Sequence, residues 1–283
     1  MLEVEKDFSG RQIPGARSYQ EDAQCFVSLA EEDQDRVNVL LTVLADGMGG
    51  ENAGDFASQM VVDKITNYCH ENFDERNVRE MLLGAMNCAN KELAEAIVER
   101  PELEGMGTTL LAVIIYNNSF RWVSVGDSPL YIYREGTLSQ LNEDHSMMPI
   151  LRKQVEEGVM KEEELAENPD RNVLRAALSG DEIELVDCPE ESMGLEPGDI
   201  LLVASDGLQT LDEDGIKLRL ERHAALPADA IALKLIKAVE NEENPKQDNT
   251  SVNVIRIPDI NDNGEPIREE EMESRTRLIR PTG

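Results

Sequence analysis

Residues 39–45, VLLTVLA, are apolar at every position but Thr42, and Asp46, Gly47, Met48, Gly49 and Gly50 follow at once. A run so short and so uniformly apolar reads as a core strand. Its neighbours give it company. Residues 22–29 and 37–45 read as strands around the polar turn EEDQDR. From Asn52 to Phe73, Ala53, Ala57, Met60, Val61, Ile65 and Cys69 recur at helical spacing, and 77–98 repeats the pattern with Met81, Leu82, Ala85, Ala89 and Leu93. Strands follow at 108–116 and 120–126 around an NNS turn, and at 129–134. The segment 147–169 is charged and helical, a candidate mobile cap. Strands are expected again at 173–178, 183–187 and 199–205, then a helix over 228–240 behind Pro227, and a last strand over 250–257. Strands, a helix pair and strands again make a layered α/β chain without the βαβ rhythm of a parallel sheet; antiparallel sheets with helices outside fit best.

The bulk numbers restrict the partners. The 283 residues are ample for a proper core, and 27 Lys+Arg against 58 Asp+Glu give a formal charge of -31. That field repels nucleic acid and anionic membrane, so neither is expected as a partner. Four scattered cysteines without a CxxC pair and three histidines argue against zinc or a disulfide framework. The N-terminal stretch MLEVEKDFSG has no signal-like apolar core, and a reduced, cytoplasmic protein is expected.

The acid after the apolar run recurs. LLVASDGL places Asp206 after a second such strand, VSVGDSPL places Asp127 after a third, and PKQDNTSVNVI places Asp248 before a fourth. One acid at a strand end is usually a cap or a turn former. Four suggest strand ends gathered at one rim, where like charges are costly unless cations neutralise them. Oxygen donors without histidine or cysteine favour hard cations such as Mg²⁺ or Mn²⁺. Gly47 would let its backbone carbonyl approach such an ion. GMGGENAG is no phosphate-binding P-loop, because no Lys-Ser/Thr follows its glycines. His145, in DHS, has no plausible triad around it.

The segments RSYQED (17–22), ADGMGG (45–50), GMGTTL (105–110), VGDS (125–128), DHS (144–146), ASDGL (204–208) and QDNTS (247–251) stand in the order found in the metal-dependent, 2C-type serine/threonine protein phosphatases, and the chain resembles their bacterial branch over residues 10–257. The resemblance implies a β-sandwich of two antiparallel sheets flanked by helices, with residues 1–257 as one catalytic domain and 147–169 as its flap. It implies that Asp46 bridges two tightly bound metals with the Gly47 carbonyl, that Asp206 and Asp248 complete one of them, and that Glu21 is an outer or water-mediated contact. Asp127 would hold a third, weaker ion, Arg17 would grip the substrate phosphate, and Asp22 would support Arg17 or the metal waters. A hydroxide activated by the two ions would attack phosphorus, hydrolysing phosphoserine or phosphothreonine in proteins against a cognate serine/threonine kinase. The rival is a silent phosphopeptide-binding module of the same fold. Met48 stands where some members have histidine, Gln20 where asparagine is commoner, and Pro129 where arginine commonly follows GDS.

Residues 258–283 read as a polar tail. Asp259 to Glu270 matches the spacing of a calcium loop, although Pro266 falls where such loops place an apolar residue. Near the end, Thr276 has arginines on both sides and Ile279 three places on, a candidate phosphorylation site for a partner kinase that a forkhead-associated domain would read.

Overall fold

The computed structural model describes residues 2–30, 36–49 and 53–258. Two antiparallel sheets lie at its centre. In chain order the strands are β1 (Leu2–Glu3), β2 (Phe8–Ile13), β3 (Asp22–Ser28), β4 (Arg36–Val37), β5 (Leu40–Met48), β6 (Gly107–Thr108), β7 (Leu110–Tyr116), β8 (Ser119–Val125), β9 (Leu130–Arg134), β10 (Thr137–Gln140), β11 (Met193–Gly194), β12 (Ile200–Ala204) and β13 (Thr250–Arg256). The helices are α1 (Ala53–Asn72), α2 (Val78–Glu99), α3 (Met148–Glu156), α4 (Glu162–Ala166), α5 (Glu213–His223) and α6 (Ala228–Asn241). One sheet runs β11-β8-β7-β5-β3 with β6 added to β5; the other runs β10-β9-β12-β13-β2.

Three apolar layers explain why the strands read as continuous apolar runs. In β5, Leu41, Val43 and Ala45 pack under α1 and α2, whereas Leu40 and Leu44 face the second sheet. In β12, Leu201 and Val203 meet them across the gap, while Ile200, Leu202 and Ala204 face the layer built with α5 and α6. Each central strand is therefore covered on both faces, which removes the polar alternation that a half-solvated antiparallel strand would show. The layers run helix, sheet, sheet, helix, and each sheet face contributes every second residue.

The expected boundaries of the two long helices hold to within about a residue, and the strands at 199–205 and 250–257 are present. The segments 173–178 and 183–187 are not strands. They make only single bridges, Ser146 to Leu174, Thr108 to Leu178 and Ser124 to Asp187. Their apolar residues Ala176, Leu178, Ile183, Leu185 and Val186 instead cover the layer beneath α1 and α2. Alternation here reflects lying across a core, not joining a ladder. The charged segment 147–169 is helical as expected, split into α3 and α4. The calcium-like stretch 259–270, the rest of the expected tail and Thr276 lie outside the described residues.

Candidate active site

The parity of β5 aims Asp46. Leu40, Thr42 and Leu44 point into the gap between the sheets, so Asp46, two residues on, faces the same gap at its open end. The β3–β5 register sets Asp22 directly opposite Asp46. Like charges facing each other across a ladder are destabilising. Asp206 begins the short 3₁₀ turn that follows β12, Asp127 follows β8, and Asp248 precedes β13. The gap turns polar as it approaches this end: Asn253 Nδ2 donates to Thr42 Oγ1 at 2.8 Å, and Ser205 Oγ donates to Asp22 Oδ2 at 2.8 Å while accepting the Ser251 N–H at 2.9 Å.

The backbone at Asp46 is held from both sides. Its N–H donates to Thr109 Oγ1 and its carbonyl accepts from Thr108 Oγ1, each at 2.9 Å. The hydroxyls of Thr109 and Ser128, 2.7 Å apart, join this clamp to the loop carrying Asp127. Buried His145 accepts the Gly126 N–H on Nδ1 at 3.2 Å, fixing that loop one residue before the acid. A histidine that accepts here serves as a brace rather than as a triad member, in line with the absence of a triad order in the sequence.

The acids feel one another. Burial, then the charges of Asp22, Asp206, Asp127 and Asp248, hold Asp46 well above the usual carboxylate range. Burial pushes Asp22 up to about 6 despite the Ser205 hydrogen bond, with Asp206 and Asp248 adding to it. Asp206 is pushed up to about 6, by burial and then by Asp248, and Asp127 to about 8, by burial and then by Asp206 and Asp144. Glu21 is also raised, chiefly by burial.

Opposite this ring lies the loop 14–21, stitched to β13 by one side chain. Asn249 Oδ1 accepts the Glu21 N–H at 2.7 Å, and its Nδ2 donates to the carbonyls of Pro14 at 2.9 Å and Tyr19 at 3.0 Å. Gln20 adds a second stitch, donating to the Ile13 carbonyl and accepting the Asp22 N–H. Arg17 is exposed and its guanidinium sits 2.5 Å from Asp248 Oδ2. Replacing Asn249 with Ala leaves one buried N–H and two carbonyls unmatched, so Asn249→Ala is expected to lower stability by about 1–3 kcal/mol. Chemical denaturation measures that loss.

Whether these residues suit a cation can be judged from their oxygens. Asp22 Oδ1, Asp206 Oδ1 and Glu21 Oε1 are buried and have no hydrogen-bond partner among the described residues. Unsatisfied, crowded carboxylate oxygens are hard donors that a divalent cation would satisfy. Among the described residues, no three histidine, cysteine or acidic side chains stand ready as a group that could hold a metal ion. The backbone register nevertheless fixes the sites that bear the acids, and side-chain rotation about χ1 and χ2 is cheap beside moving a strand. The donor set therefore fits hard cations, and the side chains have to turn to reach one.

A family profile described as Protein phosphatase 2C matches residues 15–247, most of the chain and every acid described here except Asp248. This chain belongs to the protein phosphatase 2C family. The serine/threonine protein phosphatase PstP of Mycobacterium tuberculosis is 36% identical over 179 residues, which is 62% of this chain and 33% of that protein. The chain thus matches about a third of that relative's length. A Streptococcus agalactiae serine/threonine phosphatase structure superposes with a TM-score of 0.75 at 28% identity, covering 89% of this chain and 99% of that one. The structure of the PstP catalytic domain in complex with 2 manganese ions gives 0.70 at 28% identity, over 88% and 97%. The two-sheet sandwich flanked by helices is thus the protein phosphatase 2C fold.

Two expectations gain detail. Asp22 was expected to support Arg17 or the metal waters; its side chain accepts from Ser205 and the residue faces Asp46, while Arg17 pairs with Asp248, so of the two roles the one at the metal waters stays open. Gly47 is a glycine for a packing reason as well, since a Cβ there would overlap the Gly54 carbonyl of α1 and the Glu21 carbonyl. Its N–H donates to that Glu21 carbonyl at 3.1 Å, so the strand, the helix start and the Glu21 loop close on one point. Thr108, Thr109, Ser205 and Asn249 were given no role by the sequence reading, although each belongs to a quoted motif. Ser205 and Asn249 each stand next to an acid in the chain, which is the signal that could have found them; Thr108 and Thr109 have no acid beside them.

Proposed function

We propose that the chain is a metal-dependent phosphatase that hydrolyses phosphoserine and phosphothreonine in proteins, using two divalent cations, Mn²⁺ or Mg²⁺, and opposing a serine/threonine kinase. One observation carries the reading: Asp46 faces Asp22 at the open end of the sheet gap, and Asp206, Asp127 and Asp248 are close enough to raise its pKa. Asp46, the Gly47 carbonyl, Asp206 and Asp248 would hold the two ions, with Glu21 as an outer contact. Bound there, the ions would neutralise these carboxylates, activate a water and polarise the phosphoryl oxygens.

The chain's own parts prepare that chemistry. The Thr108–Thr109 clamp keeps the Asp46 backbone from shifting when charge arrives. Asn249 and Gln20 hold the loop that carries Arg17 and Glu21. Arg17 presents a planar fork of donors beside the acids, suited to two oxygens of one phosphate. Its contact with Asp248 keeps it at the edge of the ring, where a phosphate would lie between guanidinium and carboxylates.

The deciding experiment is phosphate release from phosphothreonine peptides with Mn²⁺, with and without EDTA. Release that EDTA stops and Mn²⁺ restores supports the enzyme; peptide binding without release would establish the silent module instead. For Asp127, as ligand of a third and weaker ion, Asp127→Ala should cut turnover about 10-fold or more while calorimetry still shows tight binding of the first two ions. Loss of all metal binding would contradict that role. The proposed kinase and forkhead-associated partners meet at Thr276. Co-expression with a cognate kinase should leave phosphate there, more of it when Asp46→Asn disables the site; an unmodified Thr276 ends that part of the reading.

A further inference from the structure

A second charged feature lies on the outer helical layer and has the opposite sign. Between α5 and α6 runs a groove of about 340 Å³ lined by Arg219, Arg222, His223, Lys234 and Lys237, with Leu218 exposed along it. Among the described residues, no acidic side chain lines it. None of its four lysines and arginines makes an ion pair with a described carboxylate; the one hydrogen bond recorded among them, from Arg219 Nη1, goes to the Gly215 carbonyl at 2.9 Å. In a chain with 58 acids and 27 lysines and arginines, four unpaired cations in one groove stand out. Other arginines are matched by carboxylates, Arg134 by Asp199 and Glu196, Arg11 by Asp229 and Arg17 by Asp248.

The chain leaves the second sheet beside this groove. Arg256, the last residue of β13, donates from Nε to the carbonyl of Ala224 at 3.1 Å, and Ala224 follows His223 at the end of α5. Eleven residues beyond Pro258, the sequence reads EEEME, with Glu269, Glu270, Glu271 and Glu273. Eleven residues reach at most about 36–40 Å, whereas an 11-residue helix such as α5 is only about 16 Å long. The acidic run can therefore reach any part of the groove.

We propose that the α5–α6 groove is a docking site for an acidic peptide segment, and that its occupant is this chain's own Glu269–Glu273. The four glutamates match the four lysines and arginines in number and oppose them in sign. Tethering sets the segment at roughly millimolar effective concentration, so contacts that are weak one by one suffice. Being exposed, they weaken as salt rises.

The test uses full-length protein at low salt and a fluorescent synthetic peptide of residues 265–274 as probe. In one variant Glu269, Glu270, Glu271 and Glu273 are changed to Gln; a second adds Lys234→Glu and Lys237→Glu. Lys234 and Lys237 stand on α6, away from the carboxylate ring, and circular dichroism checks that each variant is folded. The peptide should bind the glutamine variant about 10-fold or more tightly than it binds the wild-type chain, whose groove is already filled. Binding should vanish in the second variant. Equal binding to the wild-type chain and the glutamine variant would show that the groove is free for a partner's acidic segment, and would overturn the assignment of the occupant. Binding indifferent to the lysines, or no binding anywhere, would overturn the site. Carbodiimide crosslinking of mixed light and ¹⁵N-labelled chains should join Lys234 or Lys237 to the glutamates within one isotope; mixed-isotope crosslinks would place the segment of a second copy there and overturn the intramolecular form.

Discussion

Asp46→Asn is expected to abolish Mn²⁺-dependent turnover, by at least about 1,000-fold in kcat/KM or about 4 kcal/mol, and at the same time to make the metal-free chain more stable. The two effects share one cause. Asp46 faces Asp22 from a half-buried strand end, and desolvation and its acidic neighbours disfavour its charge. Asparagine keeps the shape and removes that charge, so the strand end relaxes electrostatically while the proposed bridging ligand is lost. The Thr108–Thr109 clamp grips the backbone of residue 46 and is untouched by the substitution. The measurements are phosphate release and thermal unfolding in EDTA near pH 8. A lower melting temperature for Asp46→Asn would mean that its carboxylate stabilises the fold by itself, and full activity would remove Asp46 from the site.

Much of this was legible in the sequence because it lay in strong local patterns. The α1 and α2 faces repeat at helical spacing over twenty residues each, and a core strand that stops at an acid and a glycine is hard to mistake. Strand β2 was not legible. Its sequence, FSGRQI, has two apolar residues, and it is a strand because β13 pairs with it through a six-residue register. Gly10 in its middle is required by the second sheet, since a Cβ there would overlap the Asn253 side chain. That constraint links residues far apart in the chain and leaves no local trace. The same holds for Asp22. Next to Glu21 it reads as an accessory acid, and only the β3–β5 register shows that it faces Asp46. Asn249 is the reverse case: it stood in view beside Asp248, but what it holds lies some 230 residues away in the chain.

Without metal, the protein is expected to lose stability as pH rises from about 5 to 8, contrary to the usual behaviour of a paired carboxylate. The sign follows from the direction of the shifts. Asp22 and Asp206 titrate in the folded chain at about 6 and Asp127 at about 8, all above the 3.8 that an aspartate has when free. Between those values the folded state holds more protons than the unfolded state, so stability falls with increasing pH. It is fully present below about pH 4 as far as these groups are concerned, and is lost as pH passes 6 and then 8. Together, upward shifts of this kind are worth on the order of a few kcal/mol, or several degrees in Tm for a domain of this size. Divalent cations should reverse the trend, because they bind the ionised carboxylates: at pH 8, millimolar Mn²⁺ should raise Tm by several degrees, and at pH 5 by much less. Scanning calorimetry in EDTA and in Mn²⁺ across this range gives both curves. A metal-free Tm that climbs from pH 5 to 8, or an Mn²⁺ shift as large at pH 5 as at pH 8, would show that these acids do not carry the opposed charges that the β3–β5 register and the turns after β8 and β12 impose on them.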